Sequence, residues 1–562
     1  MRLPSPKAAS LPNDALFKQL LHNAQVNPNI LIHDPAHNKD ATTAQFLRDV
    51  VAFKEEVLSQ LPQNLLNSQG RLQTPGVYIA ILASLSYDFI VGLYAVVALG
   101  AAAVPLSTKV LPEEGDWLVK KCNAICLLAQ QEHISLASQI QSQQPTDPLI
   151  PVISIQHPPN PSFALPQIDP TLTFPSTQPG LLLFTSGTTG PPKGAILPRQ
   201  LFFPHVDPDC TADDTAIVYR AVNGLPGVLN LSDLVYVCAR IELFPGGIQP
   251  APIWERLRCG GVTVLAGATR FWQVLMTHYE ERLRALPENE RILYDEGVRN
   301  LRVVWFGGGM PLPAAKRFWL RLRGEKEWTV KYGASELGRE AMVFRFSSES
   351  AALKPIIGRP LAGTEVRLTE GQHGELLIKS PTVMIGYIDD EERTHAAFDA
   401  DGFYRTGDLV HQDAQGMFVF DGRASADFVR FNGLRVSVYE VESQLCDLPY
   451  ILEAYVLSIP DNRYGHRVGA LVLLAARETS LTLGKLRKDL ATVLAMYKLP
   501  TALRVVDSDE ELPRSPEGKL SRNTAMQRFF PREARGLSGK VEVWDIELEE
   551  MVTRRVWDWG GI

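Results

Sequence analysis

The chain has 562 residues, of which 45% are hydrophobic and 21% are charged. That length exceeds what a single hydrophobic core holds, so at least two domains are expected, and the composition excludes wholesale disorder. With 56 basic and 63 acidic residues the net charge is -7, which argues against a broad nucleic-acid-binding surface because binding phosphates needs clustered cations.

The cysteines are scattered and include no Cys-x-x-Cys pair. They are Cys122, Cys126, Cys210, Cys238, Cys259 and Cys446. This pattern disfavours a disulfide framework or a structural zinc site and favours a reducing compartment. The composition as a whole indicates a large intracellular enzyme.

Both termini and one apolar stretch bear on location. The first 14 residues lack the apolar region of a secretory signal, and the C-terminus lacks a Ser-Lys-Leu address. We therefore expect a cytoplasmic location, with a mitochondrial one left open. Residues 89–106 carry no charge and are long enough to span a bilayer. Gly92, Gly100 and Pro105 instead favour a buried helix that runs into a buried strand, so no transmembrane segment is predicted.

The first 420 residues predict alternating helices and strands. Residues 42–60 carry apolar side chains at helical spacing, and residues 76–82 form a strand candidate followed by an apolar helix. Ten prolines between residues 144 and 180 predict an extended surface connection. Further strand candidates are residues 181–184, 262–265 and 301–306. This alternation is typical of wound α/β sheets.

The pattern changes after about residue 421. Predicted helices alternate with predicted strands in a unit of about a hundred residues, an ordinary domain size. The helices are residues 437–445 and 483–496, and the strands are residues 454–459, 469–474 and 503–506. Residues 531–562, with three tryptophans, are predicted to be a tail. The predicted parts are thus 1–421, 422–530 and 531–562.

A glycine- and hydroxyl-rich loop follows the strand at residues 181–184. It contains Thr185, Ser186, Gly187, Thr188, Thr189, Gly190, Lys193 and Gly194. The glycines let backbone N–H groups curl inward, the hydroxyls add donors, and Lys193 supplies a point charge. The loop is not a Walker A motif, because no Ser or Thr follows Lys193. These features predict a phosphate-binding nest.

This loop resembles the AMP-binding signature of the adenylate-forming superfamily, which includes the acyl-CoA synthetases. Further motifs of that superfamily follow in its usual order. They are Lys331-Tyr-Gly-Ala-Ser-Glu336, with Ser335 in place of threonine, Tyr404-Arg-Thr-Gly-Asp408, Gly422-Arg423, and Leu512-Pro-Arg-Ser-Pro-Glu-Gly-Lys519. Residues 422–433 and 459–467 are also similar to the malonyl-CoA synthetase group. The chain is identified as a relative of that group.

The resemblance implies an α/β fold with a large N-terminal domain of wound sheets plus a distorted barrel-like part. A small mobile α+β domain would carry a catalytic lysine. It also implies a two-step reaction with ATP, Mg²⁺ and coenzyme A. A carboxylate attacks ATP and expels diphosphate, and a thiol then displaces AMP from the acyl-adenylate. The cysteine pattern leaves CoA, not an enzyme thiol, as the sulfur nucleophile. An acyl-carrier protein or acyltransferase acting downstream is a candidate partner.

The resemblance also implies a role for each motif residue. Thr185, Ser186, Gly187, Thr188, Thr189, Gly190 and Lys193 would hold the phosphates, and Tyr332, Gly333, Ser335 and the turn Gly307–Met310 would lie at adenine. Glu336 would bind Mg²⁺, Asp408 and Arg423 the ribose, and Arg430 and Gly433 the CoA. Lys519, Lys193 and Glu336 would be catalytic. Each of three residues also has a common structural role when it is considered alone. An aspartate such as Asp408 is more often a turn residue than a ligand, Glu336 could cap a helix, and a loop lysine such as Lys519 is more often only solvated.

Two regions depart from the superfamily pattern. The hinge, usually Asp or Lys, falls at Ala424 or Ser425. Residues 219–224 lack the histidine usual there, so the acid pocket is altered. A dicarboxylic acid would need a cation for its distal carboxylate, and the candidates are Arg220, Arg240, Arg270 and Arg339. A local positive field is expected from Lys193, Arg423, Arg430, Arg435 and Lys519.

The residues leave other functions open. The chain could adenylate an acid and load a separate carrier protein, because no carrier domain is visible after residue 530. It could also be a nucleotide-binding scaffold that has lost catalysis, as the altered residues 199–250 and Ser335 would allow. Retention of Lys193, Glu336, Asp408 and Lys519 argues against that scaffold. The identity of the acid is not predicted.

Overall fold

The structure is a computed structural model that describes most of the chain. The described residues are 10–74, 76–143, 149–156, 164–185, 192–203, 210–311, 313–324, 326–347, 355–423, 428–432, 434–475, 480–507, 509–514, 520–533, 536–537 and 540–545.

Helices of the described ranges lie mostly in the first 400 residues. In chain order they are α1 (Ala15–Val26), α2 (Thr43–Gln60), α3 (Tyr87–Leu99), α4 (Pro112–Lys121), α5 (Ile134–Ser142), α6 (Leu225–Val237), α7 (Pro250–Arg258), α8 (Thr269–His278), α9 (Glu288–Arg299), α10 (Pro313–Leu322), α11 (Glu391–Ala397), α12 (Val438–Cys446), α13 (Leu483–Leu490) and α14 (Arg522–Phe529).

Strands run through the whole chain. In chain order they are β1 (Ser10–Pro12), β2 (Ile30–Asp34), β3 (Lys39–Thr42), β4 (Tyr78–Leu82), β5 (Ala102–Leu106), β6 (Leu127–Ala129), β7 (Val152–Ser154), β8 (Gln167–Asp169), β9 (Pro179–Thr185), β10 (Lys193–Pro198), β11 (Thr215–Val218), β12 (Arg240–Leu243), β13 (Val264–Ala268), β14 (Val303–Gly307), β15 (Trp328–Gly333), β16 (Glu340–Phe346), β17 (Ile356–Pro360), β18 (Glu365–Glu370), β19 (His373–Lys379), β20 (Gly386–Tyr387), β21 (Tyr404–Gln412), β22 (Phe418–Arg423), β23 (Phe428–Phe431), β24 (Leu434–Ser437), β25 (Ile451–Asp461), β26 (Gly465–Leu474), β27 (Ala502–Val505), β28 (Arg532–Glu533), β29 (Gly536–Leu537) and β30 (Glu542–Val543).

Two large sheets build the N-terminal part. Among the described strands, one sheet has the order β20-β10-β9-β5-β4-β6-β7, and the other has the order β18-β19-β21-β22-β17-β16-β15-β14-β13-β11-β12-β2-β3. The run from β2 through β12, β11, β13 and β14 to β15 is parallel. Antiparallel strands continue it, namely β16, β17, β22, β21, β19 and β18. The α/β class is therefore confirmed. The predicted barrel-like part consists of these antiparallel strands, and no closed barrel is seen in the described ranges.

The predicted helix at 42–60 and the predicted buried helix and strand at 89–106 are both confirmed. In α2, the Thr42 side chain accepts from the Gln45 amide at 3.2 Å and caps the helix. The apolar stretch forms α3, which ends at Gly100 with φ of 72°, and then β5. Both are buried, since they pack inside the core of the N-terminal part. Among the residues described, no helix is long and apolar enough to cross a bilayer.

A smaller sheet builds the C-terminal part. Its strand order is β24-β23-β26-β27-β30, with β25 paired to β26. The predicted strands at 454–459, 469–474 and 503–506 are confirmed as β25, β26 and β27. Helix α13 ends at Leu490, before the predicted residue 496, because Leu494 and Leu499 turn back into the core.

The C-terminal residues include one segment that packs on this sheet. Within the predicted tail, β30 pairs with β27, and the Leu483 amide donates to Glu542 Oε2 at 2.6 Å. The Arg487 guanidinium also lies over the Trp544 ring at 4.3 Å. The change of sheet falls between β22 and β23, on either side of residues 424–427. The domain boundaries themselves stay a prediction.

Candidate active site

The predicted phosphate loop joins two antiparallel strands. Thr185 ends β9, Lys193 begins β10, and the two residues are register partners. The Thr185 hydroxyl donates to the Lys193 carbonyl oxygen at 3.3 Å, which closes the base of the loop. Ser186, Gly187, Thr188, Thr189 and Gly190 lie outside the described residues.

Glu336 and Lys193 meet around a tyrosine. Glu336 lies in a short 3-10 turn, Ser335–Leu337, directly after β15. The Tyr387 hydroxyl donates to Glu336 Oε1 at 3.1 Å, and the Lys193 ammonium lies over the Tyr387 ring, 5.8 Å from its centroid. Burial, and then the charge of Glu336, raise the pKa of Tyr387, so its hydroxyl stays protonated and remains a donor. Tyr387 thus links the Mg²⁺ candidate to the phosphate-loop lysine.

Asp408, Arg423 and Tyr332 form a second cluster. Asp408 and Arg423 are register partners on β21 and β22, and Arg423 Nε donates to Asp408 Oδ1 at 2.7 Å. The Tyr332 hydroxyl donates to Asp408 Oδ2 at 2.5 Å. Burial, and then Asp408, raise the pKa of Tyr332 well above its usual value. The Asp408 carboxylate is 5% exposed, so the three side chains form one fixed polar group.

The glycine turn predicted beside adenine follows β14. Gly308 has φ of 73°, a conformation that glycine adopts without strain. The Thr269 hydroxyl, at the start of α8, donates to the Gly309 carbonyl oxygen at 3.0 Å. A Cβ on Gly333, at the end of the neighbouring β15, would approach the Arg339 carbonyl oxygen to 3.0 Å. These elements meet at the carboxyl edge of the parallel strands, where ligands bind in open α/β sheets.

A partly buried cluster of charged side chains lies under this edge. Arg339 donates two hydrogen bonds to Asp233 of α6, at 2.7 and 3.1 Å, and also contacts the Leu201 carbonyl oxygen. Lys331 Nζ donates to Glu340 Oε1 at 2.9 Å. Burial opposes ionisation of Glu340, but Lys331 and Arg339 outweigh it and lower the pKa of Glu340 to about 2. Two cations and two carboxylates therefore balance one another.

Three of the four predicted distal-carboxylate arginines already have carboxylate partners. Arg339 pairs with Asp233, as above. Arg240 Nε lies 3.3 Å from Glu242 Oε1, which also binds Arg256. Arg270 pairs with Glu453 of the C-terminal part. A guanidinium that is neutralised in this way is a poor anchor for a second anion.

Arg220 is the exception among these four. It follows β11 at the carboxyl edge, and its guanidinium lies 5.1 Å from the centroid of the Trp305 ring. Lys331 Nζ lies over the same ring at 5.0 Å. The Nε and Nη2 nitrogens of Arg220 are buried and have no hydrogen-bond acceptor among the described residues. A buried donor without an acceptor lowers the stability of the fold by about 1–3 kcal/mol. The two donors of Arg220 therefore indicate a site where a ligand could supply the acceptors.

The remaining predicted residues lie on the C-terminal sheet or outside the described residues. Lys519, Gly433, Ala424 and Ser425 lie outside the described residues. Arg430 lies on β23 with an exposed side chain, and its register partner is Arg435 on β24. In the described ranges, no group of three or more His, Cys, Asp or Glu side chains could hold a metal ion. The CoA-binding and lysine assignments therefore stay predictions.

Tyr387, Trp305 and Asp233 were missed by the sequence reasoning. Tyr387 reaches Glu336 because β20 pairs with β10, with Ala195 and Tyr387 as register partners. That ladder joins residues almost two hundred positions apart, and no local spacing reveals it. Trp305 could have been predicted from the sequence, because it lies two residues before the Gly307–Met310 turn.

The chain matches known sequences along most of its length. Residues 64–388 match the family described as AMP-binding enzyme, and residues 440–519 match the AMP-binding enzyme C-terminal domain. The acyl-CoA ligase oryP of Aspergillus oryzae is 35% identical over 530 residues, covering 93% of each chain. The mitochondrial malonate–CoA ligase ACSF3 of Bos taurus is 27% identical over 500 residues, covering 81% of this chain and 82% of its own.

Solved structures share the fold. ATP-bound MatB from Rhodopseudomonas palustris superposes with a TM-score of 0.74 at 21% identity, over 91% of this chain and 98% of that one.

Proposed function

The chain belongs to the AMP-binding enzyme family and is an ATP-dependent acid–CoA ligase, and we propose that its acid carries a second anionic group, which Arg220 binds. The single observation that carries this proposal is the guanidinium of Arg220, whose Nε and Nη2 atoms are buried and lack acceptors in the described part of the chain. A dicarboxylate would supply them through charge-assisted hydrogen bonds.

The position of Arg220 supports this role. It lies at the carboxyl edge of the parallel strands, on the Trp305 ring, next to the turn proposed to contact adenine. Lys331 pairs with Glu340, and Arg339 pairs with Asp233, so the charges of this neighbouring cluster cancel. Arg220 therefore adds one unpaired positive charge to this edge of the sheet. Relatives of this chain are named malonate–CoA ligases, and malonate is a dicarboxylate.

The remaining residues fit the adenylation step. Both half-reactions develop negative charge on phosphate oxygens, so fixed cations and donors stabilise their transition states. We propose that Lys193 and the loop after Thr185 hold the β- and γ-phosphates, and that Asp408 accepts from the ribose hydroxyls. Arg423 would donate to the same sugar. Lys519 would approach the charge that develops on the α-phosphate.

The carboxylate of Glu336 fits a Mg²⁺ ion. The carboxylate offers hard oxygen ligands, and the hydrogen bond from Tyr387 orients it. In nucleotide sites Mg²⁺ binds one or two carboxylates together with phosphate oxygens. Glu336 would hold the ion, which supplies neutralisation of phosphate charge when it is bound. CoA is the thiol substrate. The assay below distinguishes acyl transfer to CoA from acyl transfer to a carrier protein. The cytoplasmic location stays a prediction.

Acid-dependent release of diphosphate tests the substrate class. Each dicarboxylate is compared with its monoamide, which nearly keeps the shape and removes one charge: malonate with malonamate, and succinate with succinamate. We expect at least about tenfold higher kcat/KM for the better diacid, because a hydrogen bond to a charged group contributes about 1.5–3 kcal/mol. Fatty and aryl acids complete the panel, with CoA or carrier protein as acceptor.

Arg220→Met should remove that preference, and Arg220→Lys should restore part of it. The matched control is Arg240→Met, which removes an arginine from the amino end of the adjacent strand, where Glu242 still keeps Arg256. A monocarboxylic acid that outperforms every diacid, with an unchanged profile in Arg220→Met, would contradict the substrate assignment. Binding of ATP without diphosphate release from any acid would favour the lapsed scaffold.

A further inference from the structure

The described residues show no hydrophobic core shared by the N-terminal and C-terminal parts. Each core cluster lies wholly before residue 424 or wholly after residue 427. Two ion pairs cross between the described residues of the two parts. Interfaces without a large apolar area are the ones across which domains move.

The first ion pair is built around a buried carboxylate. Glu453 on β25 is 7% exposed, and Arg270 of α8 binds its Oε1 atom. Its Oε2 atom accepts from Arg514 at 2.6 Å and from the Tyr455 hydroxyl at 2.8 Å. Burial opposes its ionisation, but the charges of Arg270 and Arg514 outweigh it and lower the pKa of Glu453. The carboxylate is therefore charged at neutral pH.

The second ion pair lies on the neighbouring helix. Arg317 of α10 donates to Asp447, directly after α12, at 2.7 Å. Both side chains are about a quarter exposed, at 26% and 28%, so solvent weakens this contact relative to that of Glu453. The two pairs together dock one face of the C-terminal part on α8 and α10.

Arg270 connects this docking to the nucleotide edge. Its neighbour Thr269 holds the Gly309 carbonyl oxygen of the glycine turn. On the other side of Glu453, Arg514 precedes Lys519 by five residues. A single carboxylate thus joins the rim of the nucleotide site to the segment of the chain that leads to the proposed catalytic lysine.

We propose that Glu453 and Arg270 are positioning residues that hold the C-terminal part in the orientation for adenylation. The pair must open before a thiol reaches the acyl-adenylate, since both half-reactions use one nucleotide site. This inference rests on the ligase activity but not on the identity of the acid.

Arg270→Met tests the proposal, because Glu453 keeps Arg514 and Tyr455 and the C-terminal part keeps its internal contacts. We expect the acid-dependent release of diphosphate to fall about tenfold, the loss of one charge-assisted contact, with an unchanged KM for the acid. Thioester formation from supplied acyl-adenylate and CoA should stay within about twofold of the unmodified chain, because that step follows release of the pair. Glu453→Gln should give the same split, and the double variant should lose less than the product of the two single losses.

A distance measurement gives a readout independent of activity. Spin labels go on the exposed Cys259 and on Val493→Cys, which is 60% exposed, with the half-buried Cys210 and Cys446 changed to serine. With ATP and acid bound, Arg270→Met should broaden or shift the distance distribution between the labels. The matched control is Arg367→Met, which breaks an ion pair with Asp401 inside the N-terminal part.

An unchanged distribution, or an equal fall in both half-reactions, would overturn the proposal. A raised KM for the acid in Arg270→Met, not reproduced by Glu453→Gln, would instead make Arg270 an acid-binding residue. Failure of the substrate assignment gives a different result. In that case Arg220→Met leaves the preference among acids unchanged, whatever Arg270→Met does to the relative rates of the two half-reactions.

Discussion

At the residue scale, the proposed active site consists of small polar groups that fix one another. Asp408 is held by Arg423 and Tyr332, and Glu336 is held by Tyr387. Such mutual hydrogen bonds orient a carboxylate before the ligand arrives, which lowers the reorganisation needed for binding and catalysis. The motif residues, Arg423 and Tyr332 among them, were visible in the sequence. Tyr387 was not, because the pairing of β20 with β10 brings it to the site.

Asp408→Asn tests the ribose-binding role. The change keeps the shape of the side chain and removes the charge that Arg423 and the sugar hydroxyls are expected to share. We expect the KM for ATP to rise about 10- to 100-fold, with little change in the KM for the acid, because a charge-assisted hydrogen bond contributes about 1.5–3 kcal/mol. Initial rates of diphosphate release at varied ATP measure this. Equal changes in both constants would argue for a structural role of Asp408 alone.

At the element scale, charge is buried in unusual places. Lys316 lies on α10 with no exposed surface, and its ammonium is 5.7 Å from the centroid of the Phe346 ring. Burial lowers the pKa of Lys316 to about 7. The helix also carries Arg317, whose pair with Asp447 docks the C-terminal part. One helix thus combines a fully buried amine of lowered pKa with a contact proposed to position the other domain.

Lys316→Met should stabilise the protein in a pH-dependent way. The unfolded chain binds a proton at Lys316 up to about pH 10.5, whereas the folded chain releases it near pH 7. Stability of the unmodified protein therefore gains from rising pH between these values. The increase in Tm should be largest at and below pH 7 and should fade toward pH 10.5. Scanning calorimetry of both proteins across this range measures it, and a pH-independent difference would contradict the titration.

At the scale of the whole molecule, separate cores meet through polar contacts. The C-terminal sheet has its own apolar clusters, while the N-terminal sheets share a much larger one. A part with its own core can unfold without the rest, provided that the interface is small. This arrangement also allows one part to move relative to the other, as the positioning role of Glu453 requires.

Matched core substitutions test this independence. Leu486 on α13 and Leu93 on α3 are both fully buried, each in a different core. Leu486→Ala should destabilise the C-terminal part by about 2–5 kcal/mol and leave the N-terminal part unchanged, and Leu93→Ala should do the reverse. Hydrogen exchange followed by mass spectrometry resolves the two parts. Loss of protection across the entire chain in both variants would show a single cooperative unit.

The sequence by itself determined the motif residues, the α/β class and those strands and helices that carry a clear apolar pattern. Those features depend on local properties: apolar periodicity for α2, a continuous apolar run for β9, and glycine with hydroxyl groups after Thr185. Only the tertiary structure decided which cations are neutralised, so that Arg339, Arg240 and Arg270 became paired and Arg220 remained. It also decided that Tyr387 serves Glu336 and that Glu453 joins Arg270 to Arg514. Arg240 and Glu242 are two positions apart on β12. The other contacts join residues tens to hundreds of positions apart, and strand pairing and domain docking, not local spacing, bring them together.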